Sequence, residues 1–295
     1  MPESRSSVRR RRNQPGRKNR RLRERLGAYR NARRGRPRRG IPRAAVPSFF
    51  TLMNLFSGFL ALTQIHEGRF DYACWLIVLA GFFDALDGMM ARLTNGTSLF
   101  GVELDSLADI VSFGVAPAYL VYVFGLREFE MLGLIVASLP AICGAVRLAR
   151  FNVDFDGEKK DYFSGLPIPG QAAFIVALIL NFNDAAWYSP ESPSGLSLLI
   201  PIVVVLAGLM VSNVPFDAIP KPSPAYLRSH PYKSAAYGVG LLLVIFLQQV
   251  GLLIVLSVYV LYGIGRGIYD LVQAVMQAPV EDPAEERKAT SANGQ

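Results

Sequence analysis

Apolar stretches long enough to cross a bilayer recur along this chain, and nothing else in it constrains the fold so tightly. A spanning helix needs about 20 predominantly apolar residues, because hydrocarbon offers no partner to backbone N–H and C=O groups left outside a helix. Stretches of this kind lie at 47–66, 71–92, 99–124, 131–151, 170–187, 196–216, 235–250 and 252–274. Only a tight turn at Gln248-Gln249 separates the last two, so they read either as two spans or as one long kinked helix. The chain is 51% hydrophobic and 18% charged, with little charge outside its ends. A soluble domain of this length would scatter more charge through its middle. The expected fold is an all-α integral membrane protein, a bundle of about eight transmembrane helices.

Charge divides the chain sharply. Residues 1–43 hold 18 Lys/Arg against Glu3 and Glu24, a net of +16; the whole chain is +8, so the remainder carries −8. An arginine-rich start marks the cytoplasmic side. Counting spans from there puts the 92–99 turn, the 152–169 and 217–234 loops and the C-terminus in the cytoplasm. Those loops contain Lys159, Lys160, Lys221, Arg228 and Lys233, whereas the outer loops hold only Arg69 and Arg127. The expected organisation is a largely disordered basic cytoplasmic tail (1–43), a transmembrane domain (44–275) and a disordered cytoplasmic C-terminal tail (276–295).

Residues 1–43 are too charged to fold alone. Leu22, Leu26 and Tyr29 recur at helical spacing among the arginines, which suits a helix on an anionic leaflet. A solvated topogenic tail, a contact with nucleic-acid phosphates and an organelle transit peptide fit the same composition. Cys74 and Cys143 fall within apolar segments at no metal-binding spacing and read as core residues. His66 on the outer side and His230 in a loop are poorly placed for catalysis.

Chemistry is concentrated in one stretch. It runs Asp84-x-x-Asp87-Gly88-x-x-Ala91-Arg92, eight residues, then Gly101-x-x-x-Asp105-x-x-x-Asp109. Residues i and i+3, and i and i+4, share a helix face, so Asp84 and Asp87 point one way at the end of one span. Gly101, Asp105 and Asp109 line one stripe at the start of the next. A turn around Asn95-Gly96 folds the stripes together, so four carboxylates converge. Such a cluster repels itself unless hard divalent cations sit within it. A polar network gluing helices, or an ion pathway in a transporter, is the competing reading. A transporter's acids sit nearer the midplane, on broken helices within internal repeats; here they share one hairpin at one interface, and no repeat is evident.

This pattern resembles the signature of the CDP-alcohol phosphatidyltransferases, integral-membrane enzymes of phospholipid synthesis, and every defining position is filled. The resemblance implies Mg²⁺ or Mn²⁺ as cofactor, two ions in all, with Asp84, Asp87 and Asp105 as metal ligands. It makes Asp109 the catalytic base, sharing the second metal. Gly88, Ala91 and Gly101 remove bulk where a nucleotide or facing helix comes close to backbone. Arg92 either bridges a phosphate or snorkels to the interface. The resemblance also implies a homodimer.

Three further stretches resemble the phosphatidylserine synthase branch of that family: Ser112-Phe-Gly-Val-Ala-Pro117-Ala118, Arg147-Leu-Ala-Arg150-Phe-Asn152 and Phe163-Ser-Gly165-Leu-Pro167-Ile-Pro169. Thr51-Leu-Met-Asn54-Leu-Phe-Ser-Gly58 fits as well. The activity implied is transfer of a phosphatidyl group from CDP-diacylglycerol to L-serine, at the cytoplasmic face of a cytoplasmic membrane. Serine carries a carboxylate, so its site needs a cation. Arg147 and Arg150 lie at the depth of the acids and could grip that carboxylate or a lipid phosphate, although arginines are ordinary at a cytoplasmic helix end. Asn54 and Asn152 could read the cytosine or the amino acid, or serve as packing hydrogen bonds. The rival readings are the same chemistry on glycerol phosphate, inositol phosphate or choline, an ether-chain lipid donor, and an ion-coupled transporter.

Overall fold

A computed structural model describes residues 45–94, 98–153, 162–183, 198–217 and 231–277. Helix α1 (Ala45–His66) and α2 (Phe70–Thr94) form an antiparallel pair. The link is a tight turn: Gly68, at φ 73°, donates its N–H to the Ile65 carbonyl and ends α1 in a left-handed cap. Next comes one rod in three parts: α3 (Leu99–Asp109), a π-helical turn (Ile110–Val115) and α4 (Ala116–Phe124). A 3₁₀ turn (Leu126–Phe129) leads into α5 (Glu130–Val153). Then follow strand β1 (Tyr162–Ser164), α6 (Ile168–Asn183), α7 (Leu199–Val211), strand β2 (Pro215–Asp217) and α8 (Pro231–Gln277).

Among the described residues, five helical stretches are long and apolar enough to cross a bilayer: Ala45–His66, Phe70–Thr94, Phe100–Phe124, Leu126–Asn152 and Gly238–Asp270. Two shorter apolar helices, Ile168–Asn183 and Leu199–Val211, accompany them. The molecule is an integral membrane protein, and its packing is ordered accordingly. Along α1 the inward face carries Thr51, Asn54, Ser57, Gly58 and Ala61, while Phe49, Phe56 and Phe59 are each more than half exposed. Large apolar side chains turn outward because the surrounding solvent is hydrocarbon, and small or polar ones turn inward, where helices approach closely.

Several elements differ from the sequence expectation. The spans expected at 170–187 and 196–216 are helices of 16 and 13 residues. The second stops at Ser212, whose ψ of 162° is extended, and the chain continues into β2. That strand pairs antiparallel with β1, Phe163 opposite Phe216, so the segments expected to be cytoplasmic loops at 152–169 and 217–234 contribute to a small sheet at their edges. Gly165, at φ 79°, lies so close to the Met210 and Ser212 carbonyls that no Cβ would fit.

Helix α8 reverses at Gln248, whose φ of 46° and ψ of −113° are not helical. Gly240 and Val255 would stand about 22 Å apart along a straight helix. Instead a Cβ at Gly240 would lie 3.5 Å from Val255 Cγ2. Asn181 of α6 donates to the Gln249 carbonyl at 3.0 Å and ties down the reversal. The expectations for residues 1–44, the Asn95-Gly96 turn, the lysines of the 154–161 and 218–230 loops, His230 and residues 278–295 lie outside the described residues.

Candidate metal and nucleotide site

The site grows from the junction of α2 and α3. Ser98 caps α3, its hydroxyl accepting from the Gly101 N–H at 3.0 Å, which sets the helix start and the stripe Gly101–Asp105–Asp109. Asp84 and Asp87 close α2 on the facing side. Carboxylate oxygens of Asp84, Asp105 and Asp109 all lie within 4.8 Å of one another. Each of these residues is half-buried, and Asp87 is buried outright. Among the described residues no lysine or arginine forms an ion pair with any of the four. Oδ2 of Asp87 and Oδ1 of Asp105 are buried without a hydrogen-bond partner.

Those orphaned oxygens provide the test of fit for a cation. Unpaired buried carboxylates are costly, and a cluster of hard oxygen donors is what Mg²⁺, Mn²⁺ or Ca²⁺ takes. The aspartate cluster can hold a divalent metal ion.

A pocket opens beside this cluster. Asp87 and Asp105 line it, with Gly88 and Ala91 from α2, Ser98 and Gly101 from the start of α3, and Thr51 from α1. Asp105 therefore belongs both to the carboxylate cluster and to the pocket. A Cβ added at Gly88 would meet only Arg92 Nη2, at 3.7 Å. Packing within the protein does not require that glycine; room for a ligand would.

Helix α1 supplies the support. Asn54, fully buried, donates from Nδ2 to Asp109 Oδ1 at 3.2 Å. Ser112 donates to the Asn54 carbonyl at 3.0 Å. This is possible because Gly58 lets α1 lie directly on Ser112. The π-helical turn begins just after Asp109. Pro117 lacks the N–H that would bond four residues back, and the Ala116 N–H reaches instead to the Val111 carbonyl. Such a bulge re-aims the helix faces on either side of it, so Asp105 and Asp109 face the cluster while Phe113 and Leu120 enter the core.

The remaining expected residues are placed as follows. Arg92 is exposed and folds back along its own helix, donating to the Gly88 carbonyl at 2.8 Å. Arg150 is exposed and donates from Nη1 to the Val211 carbonyl at 3.1 Å and to Asn213 Oδ1 at 3.3 Å, joining α5 to the end of α7. Arg147 is half-buried near Tyr259 of α8, and its Nε has no hydrogen-bond partner. Asn152 donates at 3.1 Å to Ser106, the residue that follows Asp105 and one turn before Asp109. The sequence reading quoted Thr51 and Ser112 only within longer stretches, with no role at the site, and passed over Ser98. The signal for Thr51 and Ser112 was present as polar residues inside apolar runs, and that for Ser98 as a hydroxyl residue just before the next run begins.

The comparisons with known proteins agree with this geometry. A sequence profile described as CDP-alcohol phosphatidyltransferase matches residues 44–212. The CDP-diacylglycerol–serine O-phosphatidyltransferase of Helicobacter pylori strain J99 is 35% identical over 237 residues, covering 78% of this chain and 93% of that protein. An archaetidylserine synthase of Methanothermobacter thermautotrophicus is 36% identical over 177 residues, 59% of this chain and 70% of its own. A CDP-diacylglycerol–serine O-phosphatidyltransferase of Saccharomyces cerevisiae is 41% identical over 145 residues, 44% and 51% of the two chains.

Proposed function

This chain belongs to the CDP-alcohol phosphatidyltransferase family, and from that membership we propose that it transfers the phosphatidyl group of CDP-diacylglycerol to the hydroxyl of L-serine, forming phosphatidylserine and CMP. One observation carries the reading. Two relatives whose names specify serine as acceptor, both from Helicobacter pylori, match over 237 residues, 78% of this chain and 93% of their own length. The convergence of Asp84, Asp105 and Asp109 supports phosphoryl chemistry at the α2–α3 junction.

Asp84, Asp87 and Asp105 would hold the metal, Mg²⁺ or Mn²⁺ in two sites, with Asp109 sharing the second. A bound divalent cation neutralises the diphosphate and the departing CMP. The pocket bounded by Gly88, Ala91 and Gly101 receives the cytidine diphosphate, its glycines letting the nucleotide approach backbone. Asp109 takes the serine hydroxyl proton as that oxygen attacks the phosphorus and the bond to CMP breaks. Asn54 occupies Oδ1 of Asp109, which orients the carboxylate and leaves Oδ2 for the proton. Arg147, with an unpaired buried Nε, suits the serine carboxylate. Arg150, exposed and steadied by Val211 and Asn213, suits a lipid phosphate, and Arg92 would serve the same phosphate end.

The charge distribution supports an active site on the cytoplasmic face of a cytoplasmic membrane. The reversal at Gln248 supports eight crossings, with α8 counted as two. We assign 44–275 to the catalytic domain, the two ends to cytoplasmic tails, and the basic tail to anionic lipid headgroups; the working unit is a homodimer. A similar archaetidylserine synthase suggests that the site reads the nucleotide end of the donor and not its tails. The test is CMP release by the purified protein from CDP-diacylglycerol with Mn²⁺ or Mg²⁺. L-serine should drive it, and glycerol 3-phosphate, inositol phosphate and choline should not. Release driven by one of those three instead would overturn the acceptor assignment.

A further inference from the structure

Gln171 is the one fully buried side chain among the described residues whose polar atoms are all unsatisfied: neither Nε2 nor Oε1 has a hydrogen-bond partner. It sits on the first turn of α6, just past the Pro167–Pro169 break. Leaving a buried amide unpaired is destabilising, so a bland packing role would be better served by an apolar residue.

Two contacts locate it. Asn183 at the far end of α6 donates to Asp71 at the start of α2, at 2.9 Å, and the two helices pack against each other. Twelve residues back along α6 and twelve forward along α2, Gln171 comes to about the depth of Phe83 and Asp84 in the bundle. A Cβ added at Gly144 would lie 3.3 Å from Ile110 Cδ1 and 3.7 Å from Ile168 Cδ1. The first turn of α6 is thus beside the residue that follows Asp109. The other unsatisfied buried atoms found among the described residues are Asn54 Oδ1, Asp87 Oδ2, Asp105 Oδ1 and Arg147 Nε. They belong to the same end of the bundle, so the missing partners are missing from one region.

Resting on the serine-transfer reading, we propose that Gln171 binds the acceptor directly, its amide pairing with the carboxylate and ammonium of an α-amino acid whose hydroxyl faces Asp109. The amide N–H donates to the carboxylate and the amide oxygen accepts from the ammonium. A phosphate-bearing alcohol offers acceptors at its charged end and would leave Oε1 unpaired. Choline has neither a carboxylate nor an N–H. A polar group left unpaired in a site built to use it is a strong basis for rejecting the wrong substrate. Gln171 is therefore a specificity-determining residue of the acceptor pocket.

The test uses the full chain in detergent–lipid micelles. Wild-type CMP release must depend on L-serine; if it does not, the serine reading falls, whatever Gln171 does. Given that response, Gln171→Met, close in volume, should raise KM for serine roughly ten- to a hundredfold, the worth of hydrogen bonds to charged groups. KM for CDP-diacylglycerol should hold, and the melting temperature should stay level or rise, since an unsatisfied amide has gone. Gln171→Glu keeps the shape but sets a carboxylate against that of serine, so serine use should fall further while ethanolamine, which has the ammonium alone, gains relative to it. An unchanged KM for serine in both variants would overturn the proposal. So would marked destabilisation of Gln171→Met, which would mean that the amide has a partner within the protein.

Discussion

Replacing Gly58 by alanine tests the link between helix packing and catalytic geometry. A Cβ at this position would fall on the Ser112 hydroxyl and lie 2.8 Å from Ser112 Cα. Carbon atoms pack at about 3.5–4.0 Å, so α1 would have to withdraw from the π-helical turn by roughly an ångström. A backbone atom cannot rotate aside as a side chain can. Overpacking of this kind costs about 1–3 kcal/mol, set against the ~1 kcal/mol by which alanine favours a helix over glycine. Gly81→Ala supplies the control, because its Cβ would meet only the Phe113 ring, at 3.8 Å. The helix preference cancels between the two variants, leaving the clash as their difference. Gly58→Ala should therefore melt several degrees below Gly81→Ala in the same detergent. Withdrawal of α1 also carries Asn54 away from Asp109, and a displacement of ~1 Å at a reacting group can cost on the order of 10²-fold in rate. CMP release should fall at least tenfold in Gly58→Ala while Gly81→Ala keeps its turnover. Equal melting and equal turnover in the two variants would refute the chain of reasoning from Gly58 through Ser112 and Asn54 to the base.

Other outcomes follow from the same geometry. Asp109→Asn should lower turnover by roughly 10²–10⁴, the range of a lost general base, while metal-dependent binding of CDP-diacylglycerol persists; unchanged turnover would remove Asp109 as the base. Mn²⁺ at ~100 times its dissociation constant should stabilise the wild-type fold by about 2.7 kcal/mol, and a chelator should reverse this. Asp105→Asn, which alters both the carboxylate cluster and the pocket, should abolish that stabilisation, and a variant still protected by the metal would argue against ligation by Asp105. Gly88→Ala should raise KM for CDP-diacylglycerol with little change in melting temperature, since a Cβ there meets only the tip of Arg92. A large loss of stability with unaltered KM would assign Gly88 to packing.

How far the fold and the site could be read from the sequence depended on how local each signal was. The aspartates were legible because helical spacing and membrane length act within a few turns: Asp84 with Asp87, and Asp105 with Asp109, share faces whatever surrounds them. The support of Asp109 was not legible, because it depends on contacts across more than fifty residues. Asn54 was a candidate for the nucleotide on residue type and depth alone; that its amide nitrogen donates to Asp109, with Oδ1 left unpaired, only the fold could show. The π-helical turn was hidden for a related reason. Pro117 in a sequence announces a disturbed helix but not whether the chain kinks or widens, and the Gly58–Ser112 approach accompanies widening. The β1–β2 pair was missed because its strands have three residues each and lie about fifty apart, too short for any alternation to show. At Gln248 the two alternatives differed by a single residue's dihedral angles. The turn carries no glycine or proline at its centre; Gly251 stands three residues on, against the Leu243 carbonyl, where it lets the two halves of α8 close. Gln171 lies between these cases. A glutamine in an apolar helix is visible in any sequence, but only the absence of partners around it gives it chemical meaning. In a membrane interior that absence is informative, since no bulk water stands ready to satisfy the amide.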